Sequence, residues 1–501
     1  MTGDPYVMLE QQFRRIGVLG EASAMLHWDA AAMMPPGGAR ARSTQLATLD
    51  VMCHEMLTAP DVADLLQAAE ADPDGLGDWQ AANLREMRRS WRHATALDAA
   101  LVERLSEAAS TCELVWREAR ADNDFARLRP HLETMVALVR EKATAKAAAF
   151  GVPAYDALLD EYEPGLTGHL VDRVFDDLAA FLPTFLAEVL DRQSALPQPL
   201  PLPGPIEIAA QRRLAEELMQ AVGFDFSSGR LDVSHHPFTG GVPDDIRLTT
   251  RYDEDDVASA LMAALHETGH AMYDRGLPSQ WRLQPVGAAM GMAVHESQSL
   301  IVEMQACRSD EFLAYLAGRL RETLGVDGPA WDDANVICSF RQVRRSLIRV
   351  DADEVTYPLH VILRYRLERA LISGDLTVAD LPDAWSQAMT DLVGVTPPDD
   401  RDGCMQDIHW MGGDFGYFPT YTLGAIAAAQ LFSAAVSDRP DIPERLAAGD
   451  FSPLMSWLAA NVHCHGAYFA DAETLLTAVT GRGFDVSAFK THLRRRYLPD
   501  T

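Results

Sequence analysis

His266-Glu267-Thr268-Gly269-His270 is the segment of this chain best suited to chemistry. Two histidines four residues apart share one face of a helix, close enough to grip one metal ion with two imidazoles. Glu267, between them, stands where a carboxylate can take a proton from a water on that ion. A divalent ion polarises a carbonyl and draws the water pKa toward about 7, which is the chemistry of amide hydrolysis.

Hydrolytic sites of this kind use three protein ligands and leave the next position to water. The following dense polar cluster, His295-Glu296-Ser297-Gln298, opens a new helical stretch. Either His295 or Glu296 suits the third position. Two histidines and a carboxylate favour zinc, and cobalt or manganese can occupy the same set. The tetrahedral intermediate of acyl transfer also needs an oxyanion donor, such as a tyrosine or histidine.

The elements that must position these groups are legible around them. Asp253, Glu254 and Asp255 stand where negative charge complements a helix N-terminus. Val257, Leu261, Met262 and Leu265 form an apolar stripe, and Gly276 and Pro278 end the helix. The first 195 residues carry apolar residues at helical spacing almost throughout. One face runs through Leu97, Leu101, Leu105 and Ala108, with Val102 beside it and Leu114 and Val115 continuing it. Another runs through Leu132, Met135, Val136, Leu138 and Val139. Breaks fall at Pro35-Pro36-Gly37-Gly38, Pro73-Asp74-Gly75 and Gly151-Val152-Pro153.

Ala195 to Pro205 is rich in proline and reads as a stiff linker. A short helix over Glu207 to Val222 follows. Gly229 to His235 and Ile246 to Tyr252 then alternate apolar and polar residues and predict a hairpin or two strands of a minor sheet. Pro237, Gly240, Gly241 and Pro243 lie between them. Helices resume to the C-terminus, interrupted by a Gly- and Asp-rich loop from Pro397 to Gly416. The fold class expected is mainly α with one small β-sheet.

With 43 basic and 73 acidic residues, the 501-residue chain carries a formal charge of −30. Such a surface repels phosphate backbones and anionic lipid, so nucleic acid and membrane are not expected as partners. The most apolar late stretch, Leu423 to Val436, is short for a span and contains Gln430 and Ser433. Six scattered cysteines form no CxxC pair, and no apolar signal region opens the chain, so the cytoplasm is the expected location.

Further strings carry a resemblance. They are His236-Pro237-Phe238, Asp245-x-Arg247-x-Thr249, His266-Glu267-Thr268-Gly269-His270 and His295-Glu296-Ser297-Gln298. Ile348-Arg349-Val350-Asp351-Ala352-Asp353 follows, then Gly403, Gln406, Asp407, His409 and Trp410 in a Gly-x-x-Gln-Asp-x-His-Trp pattern. In this order they resemble the carboxypeptidase Taq family of metallocarboxypeptidases, as do Trp28-Asp29 and Met34 to Gly38. The resemblance runs from about residue 27 to about 425.

The resemblance implies a large helical, saddle-shaped fold with a deep groove and the small sheet near the active site. It implies release of single residues from the C-termini of peptides with broad specificity, one divalent ion and a homodimer. By motif match, His266, His270 and Glu296 are the metal ligands and Glu267 is the catalytic base. The late segment implies His409 as a substrate contact and Tyr421 as the oxyanion donor, with Tyr417 as the runner-up donor and Gln406 and Tyr417 as further substrate contacts.

A carboxypeptidase must also recognise a free α-carboxylate, and the planar fork of arginine suits it. Arg349 and Arg247 are the candidates. Each has a second reading, as an internal pair with Asp351 or Asp353 for Arg349 and with Asp245 for Arg247. His236 lies beside an expected edge strand that suits pairing with a substrate backbone. His463-Cys464-His465 and Arg494-Arg495-Arg496 are read as non-functional, the arginines as a solvated helix end. The organisation expected is a single peptidase domain over 1–501. In it, a helical lobe (1–195) covers the groove, a proline-rich linker spans 196–206 and a catalytic lobe spans 207–501.

Overall fold

The computed structural model describes residues 4–72, 75–234 and 236–499. Pro73, Asp74 and His235, named above in a break and a strand, lie outside the described residues. The described chain holds 21 α-helices and one three-stranded sheet, so the expected mainly helical class is what the molecule adopts.

The N-terminal stretch is helical as its spacing requires. Helices span Pro5–Ala32, Ala39–Leu57, Pro60–Glu70 and Asp78–Thr95, then Ala99–Asp122, Phe125–Phe150, Ala154–Tyr162 and Gly168–Ser194. The breaks at Pro36 to Gly38 and at Gly151 to Pro153 fall between helices. In helix Ala99–Asp122 the buried stripe passes through Leu101, Cys112 and Ala119, whereas Val102 and Leu114 are exposed. Leu114, expected to continue the face, lies one position off it, because burial follows the narrow 101, 105, 108, 112, 115 row.

The chain divides into two compact units, each assembled from separate stretches. The first comprises Met1–Ala94, Gln198–Arg341 and Gly424–Ala488. The second comprises Thr95–Pro197, Gln342–Leu423 and Phe489–Thr501. One crossing falls in the proline-rich segment, and another falls inside the N-terminal helical run, at 94/95.

In the first unit, the N-terminal helices bury Tyr6, Leu9, Phe13, Val62, Leu65, Leu66, Leu84 and Met87 together. The sheet also lies here. Its strands β1 (Gly229–Val233), β2 (Phe238–Val242) and β3 (Asp245–Thr250) stand in the order β1-β3-β2. β1 runs parallel to β3, and β2 runs antiparallel to it, with Thr239 opposite Leu248. The segment read as a connector is therefore itself a strand. Its glycines hid it, yet an edge strand tolerates them, and Gly241 takes a positive φ of 87° at the tight β2–β3 turn.

Helix Val257–Gly276 packs on this sheet and carries the histidine pair. Asp256 caps it, its side chain accepting from the Ser259 amide, which contributes about 1 kcal/mol. Helix Pro419–Asp438 has the length and composition of a membrane span, but 61% of its apolar window is buried inside the protein. Its Gln430 donates to Thr480 Oγ1 and to the Arg482 and Gly483 carbonyls, the pattern of a core helix.

In the second unit, Tyr365 packs edge-on against Tyr155 and Phe175. The arginine run near the C-terminus is not simply a solvated end. Arg496 is buried against Glu354 at 3.0 Å, and His492 and Tyr497 reach the same carboxylate. Three successive cations on a packed helix cannot all face water, and Arg496 faces inward.

Candidate active site

Gly269, the fourth residue of the motif, decides how close the second polar cluster comes. A Cβ there would stand 2.5 Å from Ser299 Cα, so only glycine lets helix Met292–Leu300 lie directly on the motif helix. Gly424 closes on Glu296 from another side, where a Cβ would meet the Glu296 Cβ at 2.8 Å. Glu296 is thereby held opposite the two histidines. Its Oε2 lies 4.0 Å from His266 Nε2 and 3.7 Å from His270 Nε2.

The donor atoms of His266, His270 and Glu296 all fall within 4.8 Å of one another. That is the spacing of ligands converging on one ion with bonds of about 2.0–2.2 Å. The other ring nitrogens are committed elsewhere. His266 Nδ1 meets Glu303 Oε2 at 3.0 Å, and His270 Nδ1 meets the His295 carbonyl at 3.1 Å. Both Nε2 atoms are left facing Glu296. His295 stacks on His270 and bonds Asp274 at 3.1 Å, so it supports the site from behind.

Electrostatics agree with a cation site. Burial raises the carboxyls of Glu267 and Glu296. Burial opposes charge on His266 as well, but Glu303, Glu296 and Glu267 outweigh it and lift its pKa to about 10. Burial, with His295 and His266 nearby, drives His270 well below its usual value. Glu303 stays low despite burial because His266 and Arg308 sit beside it. The buried carboxylates of Glu267 and Glu303 and the largely buried Glu296 thus face two imidazoles and one arginine, and a divalent ion suits that imbalance.

Glu267 is nearly buried, at 7% exposure. Its Oε2 is 2.7 Å from the hydroxyl of Thr239, on edge strand β2. Sequence reasoning named neither Thr239 nor Glu303. A signal existed for Glu303, a single carboxylate inside the apolar run Leu300-Ile301-Val302-Glu303-Met304. It sits on a π-helical turn, Ile301–Ala306, which follows directly from the helix of Glu296, a device common at functional sites.

The second unit gathers the late candidates into another cluster. Arg349 is buried; its Nε donates to Asp407 Oδ1 at 3.0 Å and its Nη1 to Tyr357 at 2.6 Å. Neither Asp351 nor Asp353 is its partner. Nη2 has no hydrogen-bond partner among the described residues. The fully buried Arg364 holds the other oxygen of Asp407 at 2.6 Å. Gln406 accepts from Arg349 N and Arg364 Nη2, and its amide donates to the Leu347, Asp402 and Gly403 carbonyls.

His409 Nε2 lies 3.2 Å from the Tyr421 hydroxyl, and its buried Nδ1 has no partner among the described residues. Burial, then the nearby Arg349, lowers His409 to about 4, so the ring is neutral at pH 7. Tyr417 lies edge-on to Tyr421, with ring centroids 5.1 Å apart.

The remaining candidates stand differently. Arg247, in the first unit, makes a bidentate pair with Asp245 at 2.9 and 2.6 Å and lies over the Trp28 ring. His236 is exposed, just before β2. His463 is buried and bonds Gln298 at 3.0 Å, outside the His266, His270 and Glu296 group.

The profile of the carboxypeptidase Taq (M32) metallopeptidases matches residues 8–497. The chain belongs to that family.

Thermostable carboxypeptidase 1 of Thermus thermophilus is 39% identical, with 98% of this chain and 97% of that one aligned. Carboxypeptidase 1 of Bacillus subtilis is 32% identical, over 97% and 96%. Among solved structures, metallocarboxypeptidase 1 of Trypanosoma cruzi superposes with a TM-score of 0.96 at 39% identity, covering 98% of this chain and 99% of that one. The M32 carboxypeptidase of Deinococcus radiodurans gives 0.92 at 34%, covering 99% of each. The enzyme is a metal-dependent carboxypeptidase.

Proposed function

We propose that this carboxypeptidase removes single residues from the C-termini of peptides with broad side-chain tolerance. In this reading His266, His270 and Glu296 hold one divalent ion, zinc before cobalt or manganese. The observation that carries the assignment is the convergence of their three donor atoms within 4.8 Å. When bound, the ion supplies Lewis acidity for the scissile carbonyl and the attacking water.

The chain's own groups do the rest. Glu267 takes the proton of the attacking water and returns it to the leaving amine. Thr239 orients the Glu267 carboxylate from β2. Arg349 receives the substrate α-carboxylate. It is favoured over Arg247 because Arg349 and Arg364 share the single carboxylate of Asp407 and so keep a surplus positive charge, whereas Asp245 neutralises Arg247 one-to-one. Neutral His409 contacts the substrate. Tyr421, hydrogen-bonded to it, donates to the oxyanion, with Tyr417 beside them. Gln406 keeps Arg349 and Arg364 in place, and the β2 edge beside His236 offers main-chain pairing.

The six free cysteines suit a reducing cytoplasm. The homodimer rests on the family resemblance, and sedimentation at assay concentration tests it.

The deciding assay pairs one N-blocked dipeptide as free acid and as C-terminal amide, each with and without chelator. Release from the free acid alone, lost with chelator and restored by zinc or cobalt, is the expected result. Equal cleavage of both forms would remove the carboxylate clamp and indicate an oligopeptidase. Glu267→Gln should retain the metal and abolish turnover; persisting activity would overturn the assigned base.

A further inference from the structure

Helix Tyr357–Ser373 carries two fully buried charges one turn apart, Arg364 and Glu368. Arg364 is matched by Asp407. Glu368 has no cation beside it among the described residues. Its carboxylate instead accepts three hydrogen bonds: Tyr155 Oη at 2.7 Å and the Gly416 amide on Oε1, and Trp410 Nε1 at 2.8 Å on Oε2. Burial pushes the Glu368 carboxyl up to about 7. An apolar side chain would fill this space without that desolvation cost, but it could not accept from three donors.

Two of the donors bracket a short segment. Trp410 follows His409, and Gly416 precedes Tyr417. Between them lie the single turn His409–Gly412 and the tight bend at Gly413, with a φ of 86°. At the ends of this segment, His409 packs on Tyr417 and Phe418 at centroid distances of 5.7 and 4.5 Å.

We propose that Glu368 is a positioning residue of the carboxypeptidase: one buried carboxylate ties Trp410 to Gly416 and so sets His409 and Tyr417 in the arrangement used on substrate. This rests on the substrate role assigned to His409 above. The requirement for a carboxylate is specific. A glutamine in its place has one acceptor oxygen and one donor amide. In either orientation, Trp410 Nε1–H or Gly416 N–H is left facing a donor. Removing the indole donor at 410 should release that conflict, since a glutamine then satisfies the remaining partners.

The test measures kcat and KM of the metal-loaded enzyme for Glu368→Gln, Trp410→Phe, the double variant and His409→Ala. Hydrogen exchange at the Gly416 amide is followed alongside. Glu368→Gln is expected to lower kcat about ten- to a hundredfold, as small displacements of acting groups do. KM should hold within about twofold, and Gly416 should exchange faster. In the Trp410→Phe background the same change should cost under about threefold, a coupling that independent sites do not show.

Unchanged kcat in Glu368→Gln, or an equal loss in both backgrounds, would overturn the inference. If His409→Ala keeps full kcat, the reading of His409 fails and takes the inference with it. If His409→Ala is impaired while Glu368→Gln is not, only the inference fails. Should Glu368→Gln not fold, Tyr155→Phe and Trp410→Phe carry the test. Tyr155 lies on another helix, outside the segment, so its loss should spare kcat while that of Trp410 lowers it; equal effects would refute the role.

Discussion

The Thr239 hydroxyl meets Glu267 Oε2 at 2.7 Å, joining an edge strand of the small sheet to the helix that carries His266 and His270. A second acceptor, the Glu267 carbonyl, lies 2.9 Å from the same hydroxyl. Thr239→Val keeps the shape and removes the donor. A hydrogen bond to a charged group contributes about 1.5–3 kcal/mol, so kcat should fall about ten- to a hundredfold with metal content unchanged. Steady-state kinetics beside metal analysis checks this, and an unchanged kcat would show that the contact does not orient the base.

Glu303 holds the outward nitrogen of His266 and is itself held by Arg308 at 3.0 Å. Partners of this kind are worth about 10- to 100-fold in metal affinity. Glu303→Gln keeps an acceptor and should sit near the lower end; Glu303→Ala should reach the upper. Competition with a chromophoric chelator measures both. Wild-type affinity in the alanine variant would mean that His266 needs no support.

Arg349 and Arg247 can be told apart by what each does to the free-acid preference. Losing a buried charge pair with the substrate costs about 2–5 kcal/mol. Arg349→Gln should therefore raise KM for a free-acid substrate about 30-fold or more and abolish discrimination against the amide. Arg247→Gln should leave discrimination intact, since its charge is already matched by Asp245. The opposite outcome would transfer the clamp to Arg247.

Glu161 predicts an acid-sensitive fold. Burial opposes its charge, but Lys142 at 2.8 Å and Lys146 at 3.0 Å outweigh burial and hold its pKa at about 2. A depressed carboxyl stabilises the fold above its unfolded value of about 4.5, and that contribution fades as pH falls toward 2. A shift of this size corresponds to about 3 kcal/mol. Glu161→Gln should be less stable than wild type at pH 7 and converge on it as pH drops from 5 toward 2. Urea unfolding at each pH follows the difference, and parallel curves would contradict it.

The sequence carried a good deal of this. Helical periodicity over the first 195 residues, the motif helix and its end, and the late Gly- and Asp-rich loop are local properties, because each depends on neighbours within a few turns. The histidine pair and Glu267 were legible for the same reason: one helix sets their spacing. The exposed Leu114 shows the margin of such readings, since one residue's rotation on a helix separates core from solvent.

Partners distant in the chain were not legible. Arg349 lies within four residues of two aspartates, yet it pairs with Asp407. Thr239 reaches Glu267, Glu303 reaches His266, and Glu368 reaches both Trp410 and Gly416. Residue type and spacing determined which groups could do chemistry here. Only the tertiary structure decided which of them meet. Hydrogen bonds and ion pairs act over about 3–4 Å, and packing of whole helices and strands, such as the close approach at Gly269, sets those distances.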